Sequence, residues 1–203
     1  MSWQGHSVLY KHQGNSQHDW FRYTCGHCGH ETAGAVVATF PQYDAPAVRW
    51  ILCMQCLRGS VIHENGQQCP GQTPGPAVQG LPSEIEAAYG EARSCMSVNA
   101  FTACELLCRK LLMHVAAEKG APEGESFVAY LTYLEQHGYV TPPMKPWVDL
   151  IRSHGNRAAH ELEPPDATRA ESTLLFTAEL LRLVYEMEHY SRKYAPSKEG
   201  RSA

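Results

Sequence analysis

Apolar positions change period once along the chain. Up to residue 63 they fall in short runs rich in Val, Thr and aromatic residues: Trp20–Tyr23, Thr32–Phe40, Val48–Leu52 and Gly59–His63. Such residues suit a pleated, half-buried surface, and Gly and Pro punctuate the runs, so four strands are predicted. From Leu81 the spacing becomes helical. A first helix is predicted from the Pro82-Ser83-Glu84-Ile85-Glu86 start to about Ser97, with Ser83 and Glu86 at capping-box spacing. In the second, about Ala100–Lys119, Phe101, Cys104, Leu107, Cys108, Leu111 and Val115 recur at steps of three and four. A third covers about Ser126–Gln136, and a fourth about Lys145–His154, ending or kinking at Gly155-Asn156. Pro164, Pro165 and Asp166 open the last, which runs to about Tyr194.

Between the two patterns, residues 64–80 hold three Pro and four Gly without apolar period. They read as a linker or an irregular wrap, and as the domain boundary. The predicted organisation is α+β: a small β domain over residues 1–63, a linker over 64–80, an all-α bundle of about five helices over 81–194, and a polar tail over 195–203.

Composition narrows the function. Hydrophobic residues make 43% and charged residues 19% of the 203, which fits a folded globular chain and excludes disorder. The formal net charge is −4, and residues 1–80 carry four basic and four acidic side chains. A broadly basic nucleic-acid coat is excluded. No apolar run approaches a membrane span, and residues 1–20 lack the apolar core of a signal peptide, so a soluble cytoplasmic protein is expected.

Four of the eight cysteines form two Cys-x-x-Cys pairs, Cys25/Cys28 and Cys53/Cys56, with 24 residues between them. A two-residue gap lets both thiolates of a tight turn face one ion, and Gly29 supplies the backbone freedom that such a knuckle needs. Two knuckles separated by a hairpin make a zinc ribbon, so structural Zn2+ on Cys25, Cys28, Cys53 and Cys56 is the expected cofactor. The competing reading is a redox pair or free thiols, against which stand the two pairs and the want of a βαβ pattern. His27 and His30 either replace a ligand or lie beside the site. Cys104 and Cys108 sit on the apolar stripe of a helix and read as buried thiols rather than chelators. Cys69 and Cys95 have no assigned role.

A second cluster lies between Trp147 and Glu161. Arg152, Arg157, Asn156, His154 and His160 gather there beside an apolar helix face. Arg grips phosphate with a fork of donors, and His moves protons near neutral pH, so the set suits cleavage of RNA at a ribose 2′-hydroxyl. The structural alternative has Asn156 capping a helix and the two arginines paired with Glu161 and Glu163. Seven residues separate Arg152 from His160, and a turn at Gly155 would bring them together.

The helical part resembles domain-of-unknown-function family 4145. The resemblance rests on Leu81-Pro82-Ser83-Glu84-Ile85, Tyr89-Gly90-Glu91-Ala92, Ala103-Cys104-Glu105-Leu106-Leu107-Cys108-Arg109, Ile151-Arg152-Ser153-His154-Gly155-Asn156-Arg157-Ala158-Ala159-His160-Glu161 and Leu180-Leu181-Arg182-Leu183-Val184-Tyr185. That family is similar to the HEPN superfamily of helical bundles, which includes metal-independent ribonucleases and phage-defence components. The resemblance implies a HEPN-like bundle directed at RNA or a nucleotide, with His160 as general base or acid, Arg152 and Arg157 on phosphate and Asn156 positioning the segment. It also implies a dimer, and a broad apolar face on the last helix, with Phe176, Leu180 and Tyr185, is read the same way. The alternative is a noncatalytic interaction protein that dimerises or docks a protein partner.

Overall fold

The computed structural model describes residues 20–40, 47–158 and 164–195, with the backbone but not the side chains of 154–158. It divides into two compact units, Met1–Thr73 and Pro74–Ala203.

The first unit is an antiparallel sheet in the order β1-β2-β3-β4-β5. Its strands are β1 (Trp20–Thr24), β2 (Glu31–Phe40), β3 (Val48–Cys53), β4 (Gly59–His63) and β5 (Gln68–Cys69). Four strands lie where the alternation of side chains predicts them. β5 is too short to carry a pattern. The register pairs Tyr23 with Thr32, Gly34 with Cys53 and Ile51 with Ser60. One sheet face buries Tyr23, Ile51 and Ile62 with Cys25 and Cys53 in a small core. The other carries Trp20, Ala35, Trp50, Leu52 and Val61, as cross-strand partners must share a face. A bulge between Val36 and Ala38 keeps both faces in phase along the long β2.

The second unit holds α1 (Ser83–Ser97), α2 (Phe101–Glu118), α3 (Phe127–Gln136), α4 (Lys145–Ala158) and α5 (Ala167–Leu181), which runs through a π-helical turn (Arg182–Glu186) into α6 (Met187–Tyr194). Five helical rods result. α2 packs against α1, α3 and α5, and α5 also against α1 and α4. On the last rod Phe176 and Leu180 are fully buried and Tyr185 in the π turn nearly so, while Leu183, Met187 and Tyr190 are exposed. Asp166 caps α5 by accepting from the Arg169 N–H at 2.8 Å, and Ser126 caps α3 by accepting from the Ala129 N–H. A buried pair, Arg169 to Glu105 through two 2.9 Å hydrogen bonds, ties α5 to α2.

Two boundaries differ from expectation. Ser83 makes no capping box: it is already helical, and Pro82 occupies the cap position without a side-chain bond. α4 does not end at His154. It continues through Gly155 and Asn156 to Ala158, because one glycine inside a helix costs only about 1 kcal/mol. The segment 64–80 takes the form of the wrap, its first part held to the sheet unit and its last part to the helical one. Gln68 donates from Nε2 to the Thr24 and Pro70 carbonyls, fixing its first part to the sheet. Its last part is a strap on the helical unit. Arg93 donates to the carbonyls of Pro74 and Gly75, the Tyr89 hydroxyl donates to that of Pro76, and the Gln79 N–H reaches Glu186. No helix among the described residues is long and apolar enough to cross a membrane.

Candidate metal centre and the arginine cluster

The two Cys-x-x-Cys segments fold into two matching turns. In the first, the Gly29 N–H reaches the Cys25 carbonyl at 2.8 Å and the Cys25 N–H reaches that of His30 at 3.0 Å. In the second, the Leu57 N–H reaches Cys53 at 2.9 Å and the Cys53 N–H reaches Arg58 at 3.0 Å. Gly29 has φ 71° and Leu57 has φ 58°, so both turns require the left-handed region at the same position. Only the first has the residue that adopts it without cost. Gly26 is fixed for another reason. A Cβ there would lie 2.2 Å from the Pro70 carbonyl oxygen, because residues 70 and 71 lie against the first turn.

These turns bring four sulfurs together. The Sγ atoms of Cys25, Cys28, Cys53 and Cys56 all lie within 4.8 Å of one another. Cys25 to Cys56 is 3.8 Å and Cys28 to Cys53 is 3.9 Å. A tetrahedral ion with metal–sulfur bonds of about 2.3 Å has sulfur–sulfur edges of about 3.8 Å. The donor set thus fits one metal ion. Protonation agrees with that fit. At Cys53 burial raises the thiol, but the N–H groups of Cys56 and Gln55 and the nearby thiols outweigh it and bring its pKa down to about 6. Burial instead pushes Cys56 up to about 12. Four thiolates in one place repel one another, and a dication would remove that repulsion.

His27 and His30 do not enter the donor set. His27 points its Nε2 to the Gly59 carbonyl at 2.9 Å, bridging the first turn to the start of β4, and His30 is exposed. Cys104 and Cys108 are fully buried in the bundle core. The hydrogen bond with Cys108 lowers the Cys104 thiol and raises that of Cys108, as expected of an inward-facing pair that shares a proton.

Of the second cluster, Arg152 is the one side chain within the described residues. Asn156 and Arg157 lie on the backbone of α4 with their side chains outside the described set, and His160 lies outside it altogether, as do Glu161 and Glu163. Arg152 is engaged elsewhere. Its Nη2 donates to Glu135 on α3 at 2.7 Å and its Nη1 to Asp149 at 2.8 Å, with 20% of its side chain exposed. Lys145 adds a second cation to Glu135 at 3.4 Å. The Arg152 hydrogen bond, followed by Lys145, holds the Glu135 carboxyl below its ordinary range. α4 stays helical through Gly155 to Ala158, so no turn forms at Gly155 itself.

Sequence reasoning missed the exposed aromatic face. Trp20 and Trp50 are 55% and 54% exposed on the outer side of the sheet. The alternation contained that signal, since Trp50 stands out of phase with buried Ile51 and Cys53, but alternation does not say which of two apolar faces is covered.

A family model described as a domain of unknown function (DUF4145) matches residues 90–198. No curated protein and no solved structure matches the chain.

Proposed function

The chain belongs to the DUF4145 family, and from that premise we propose that it is a zinc-stabilised interaction protein whose sheet docks a protein partner through an uncharged apolar surface. Zinc is the ion we assign to the four sulfurs, since four thiolates on a tetrahedron are its preferred structural set. The observation that carries the docking reading is the pair of tryptophans on one sheet face. Single exposed apolar side chains are ordinary; two tryptophans with exposed Val37 and half-buried Leu52 and Val61 form a contiguous patch. Its charged neighbours, Arg22 and Glu31, neutralise each other at 2.7 Å. Such a face offers little to phosphate and much to an apolar protein surface.

Two measurements test this. Native mass spectrometry gives one zinc per chain, lost in Cys53→Ser. A photo-crosslinking residue in place of Val37 captures a protein in the source cells, and the purified pair binds saturably with wild type and at least ten-fold more weakly with a Trp20→Ser/Trp50→Ser double variant. Equal binding by the double variant overturns the reading.

A second reading is a metal-independent ribonuclease of prokaryotic defence that uses His160 with Arg152, Arg157 and Asn156. Its support is the resemblance to HEPN proteins together with the Arg152 Nε, which is buried without a partner among the described residues. It requires that wild type cleave RNA in the presence of chelator to 2′,3′-cyclic phosphate ends, and that His160→Ala abolish cleavage without lowering the melting temperature. The carboxylates already gripping Arg152 favour the opposite result: intact RNA, and a lower melting temperature for Arg152→Ala.

A further inference from the structure

The outer face of the sheet alternates in side-chain size across its strands. Along one cross-strand row Trp20 on β1 stands opposite Ala35 on β2, Ala35 opposite Leu52 on β3, and Leu52 opposite Gly59 on β4. In the next row Ala38 on β2 stands opposite Trp50 on β3. Trp20 and Trp50 are both more than half exposed. A hollow of about 310 Å3 opens at the far end of the first row, where Gly59 is flanked by Val37, Trp50, Leu52, Val61 and Cys69. The fold does not demand glycine there. A Cβ at position 59 would meet nothing within 4 Å, and the backbone is not in the left-handed region. A side chain would be accommodated by the chain itself and would fill the hollow.

Strands lie about 4.8 Å apart, so Trp20 and the hollow are separated by roughly 14 Å across the face. A twofold axis parallel to the strands, midway between β2 and β3, reverses the strand order of one sheet over another and keeps the rows in place. Two sheets laid face to face across it bring β1 over β4 and β2 over β3. Trp20 then meets Gly59 of the second copy, Ala35 meets Leu52, and Ala38 meets Trp50, each contact occurring twice. Every large side chain faces a small one, as interdigitation of aligned sheets about 10 Å apart requires. The charged pair at the rim, Arg22 with Glu31, is neutral as a unit, so a second copy brings no net like charge against it.

We propose that the partner docked on this face is a second copy of the chain, held by insertion of Trp20 of each copy into the Gly59 hollow of the other. This rests on the docking reading above and names its partner. A twofold contact uses one patch on both sides, so the patch must carry its own knob and its own hole. An unrelated partner imposes no such condition within the face. Here the knob and the hole lie in one row, at opposite ends, with the small and large residues between them in the order that the axis requires.

The test is sedimentation equilibrium of the full chain across the micromolar range, where wild type should show a monomer–dimer equilibrium. Trp20→Ala leaves the hollow empty and Gly59→Trp closes it. Each should raise the dimer dissociation constant about 10-fold or more, as loss of an aromatic anchor does, with an unchanged melting temperature. Mixed in equal amounts, the two variants should regain most of the lost affinity. The mixed dimer has one Trp20–Gly59 contact, and in the other the new tryptophan fills the space that Trp20→Ala vacates. Within one chain these positions are too far apart to compensate each other, so recovery reports a contact between copies. If Gly59→Trp fails to fold, Gly59→Leu fills the same hollow and takes its place in the mixture. A wild-type chain that stays monomeric overturns this inference and leaves the docking reading to a different protein. A dimer that neither variant weakens, or that mixing does not restore, overturns it as well. The docking reading fails separately, by equal partner binding of the Trp20→Ser/Trp50→Ser variant.

Discussion

Leu57 is the residue at which the two metal turns differ in cost. It occupies the place that Gly29 occupies in the first turn, with the same left-handed backbone, and its side chain is 68% exposed. Little packing compensates for the crowding of its Cβ. Leu57→Gly should therefore stabilise the sheet unit by roughly 0.5–1 kcal/mol, the left-handed cost less the entropy of an added glycine. Chemical denaturation of the zinc-loaded chain measures it, and a loss of stability would show that Leu57 earns its place by contact. The cysteine spacing made the metal set legible in the sequence, because a two-residue gap restricts where two sulfurs can go. The equivalence of Leu57 and Gly29 was not legible, since leucine carries no signal for positive φ.

At the scale of elements, β2 and the π turn carry the sharpest consequences. Gly34 is the one place in β2 where the Tyr23 ring and Ile51 leave no room for a methyl group. Gly34→Ala should cost about 1–3 kcal/mol, as overpacking does, and should lower the thermal transition of the sheet unit while leaving that of the helices in place. In the π turn, Glu186 accepts from Arg182 Nε at 2.9 Å and from the Gln79 N–H at 2.9 Å. Arg182 first, then Gln79, hold its carboxyl below the ordinary glutamate range. A carboxyl with a lower pKa folded than unfolded binds fewer protons in the native state. Its stabilisation is complete above the unfolded pKa and is lost as pH falls through the depressed folded value. The melting temperature of the helical unit should drop on acidification below the ordinary glutamate range, and Glu186→Gln should show a shallower acid limb in a calorimetric pH series. Apart from β5, strand and helix positions were readable from period together with Gly and Pro punctuation. The run of α4 through Gly155-Asn156 was not, since a Gly-Asn pair marks a helix end unless the surrounding turns keep it helical, and the π turn leaves no compositional trace.

The whole molecule consists of two units with different sources of stability. The helical one buries a long row of apolar side chains around α5. Among the described residues the sheet unit has a core of five buried apolar side chains, two of them cysteines. A core of that size offsets little chain entropy, and the zinc proposed above would contribute on the order of 10 kcal/mol at neutral pH. Chelation should therefore abolish the sheet transition in a thermal melt and leave the helical far-ultraviolet signal largely intact. A single cooperative loss of both would contradict this division. The twofold character of the chain was legible from the change of apolar period, and the two units divide at Thr73/Pro74, inside the segment 64–80. That segment looks featureless because, apart from the Gln68 side chain at its first end, backbone groups fix it.

That manner of fixing has its own consequence for which sequences the strap tolerates. Arg93, Tyr89 and Glu186 hold carbonyls and one N–H of residues 74–79, so their grip is blind to side-chain identity. Only steric exceptions remain. Gly75 and Gly80 have φ values of 80° and 72°, and a Cβ at either would meet Tyr89 or His189 within 3 Å; Val78 is buried; position 79 must keep its hydrogen, which bars proline. A saturation scan of the strap should find those four places restricted and Pro74, Pro76 and Ala77 permissive, a conservation profile set by atoms that every residue shares.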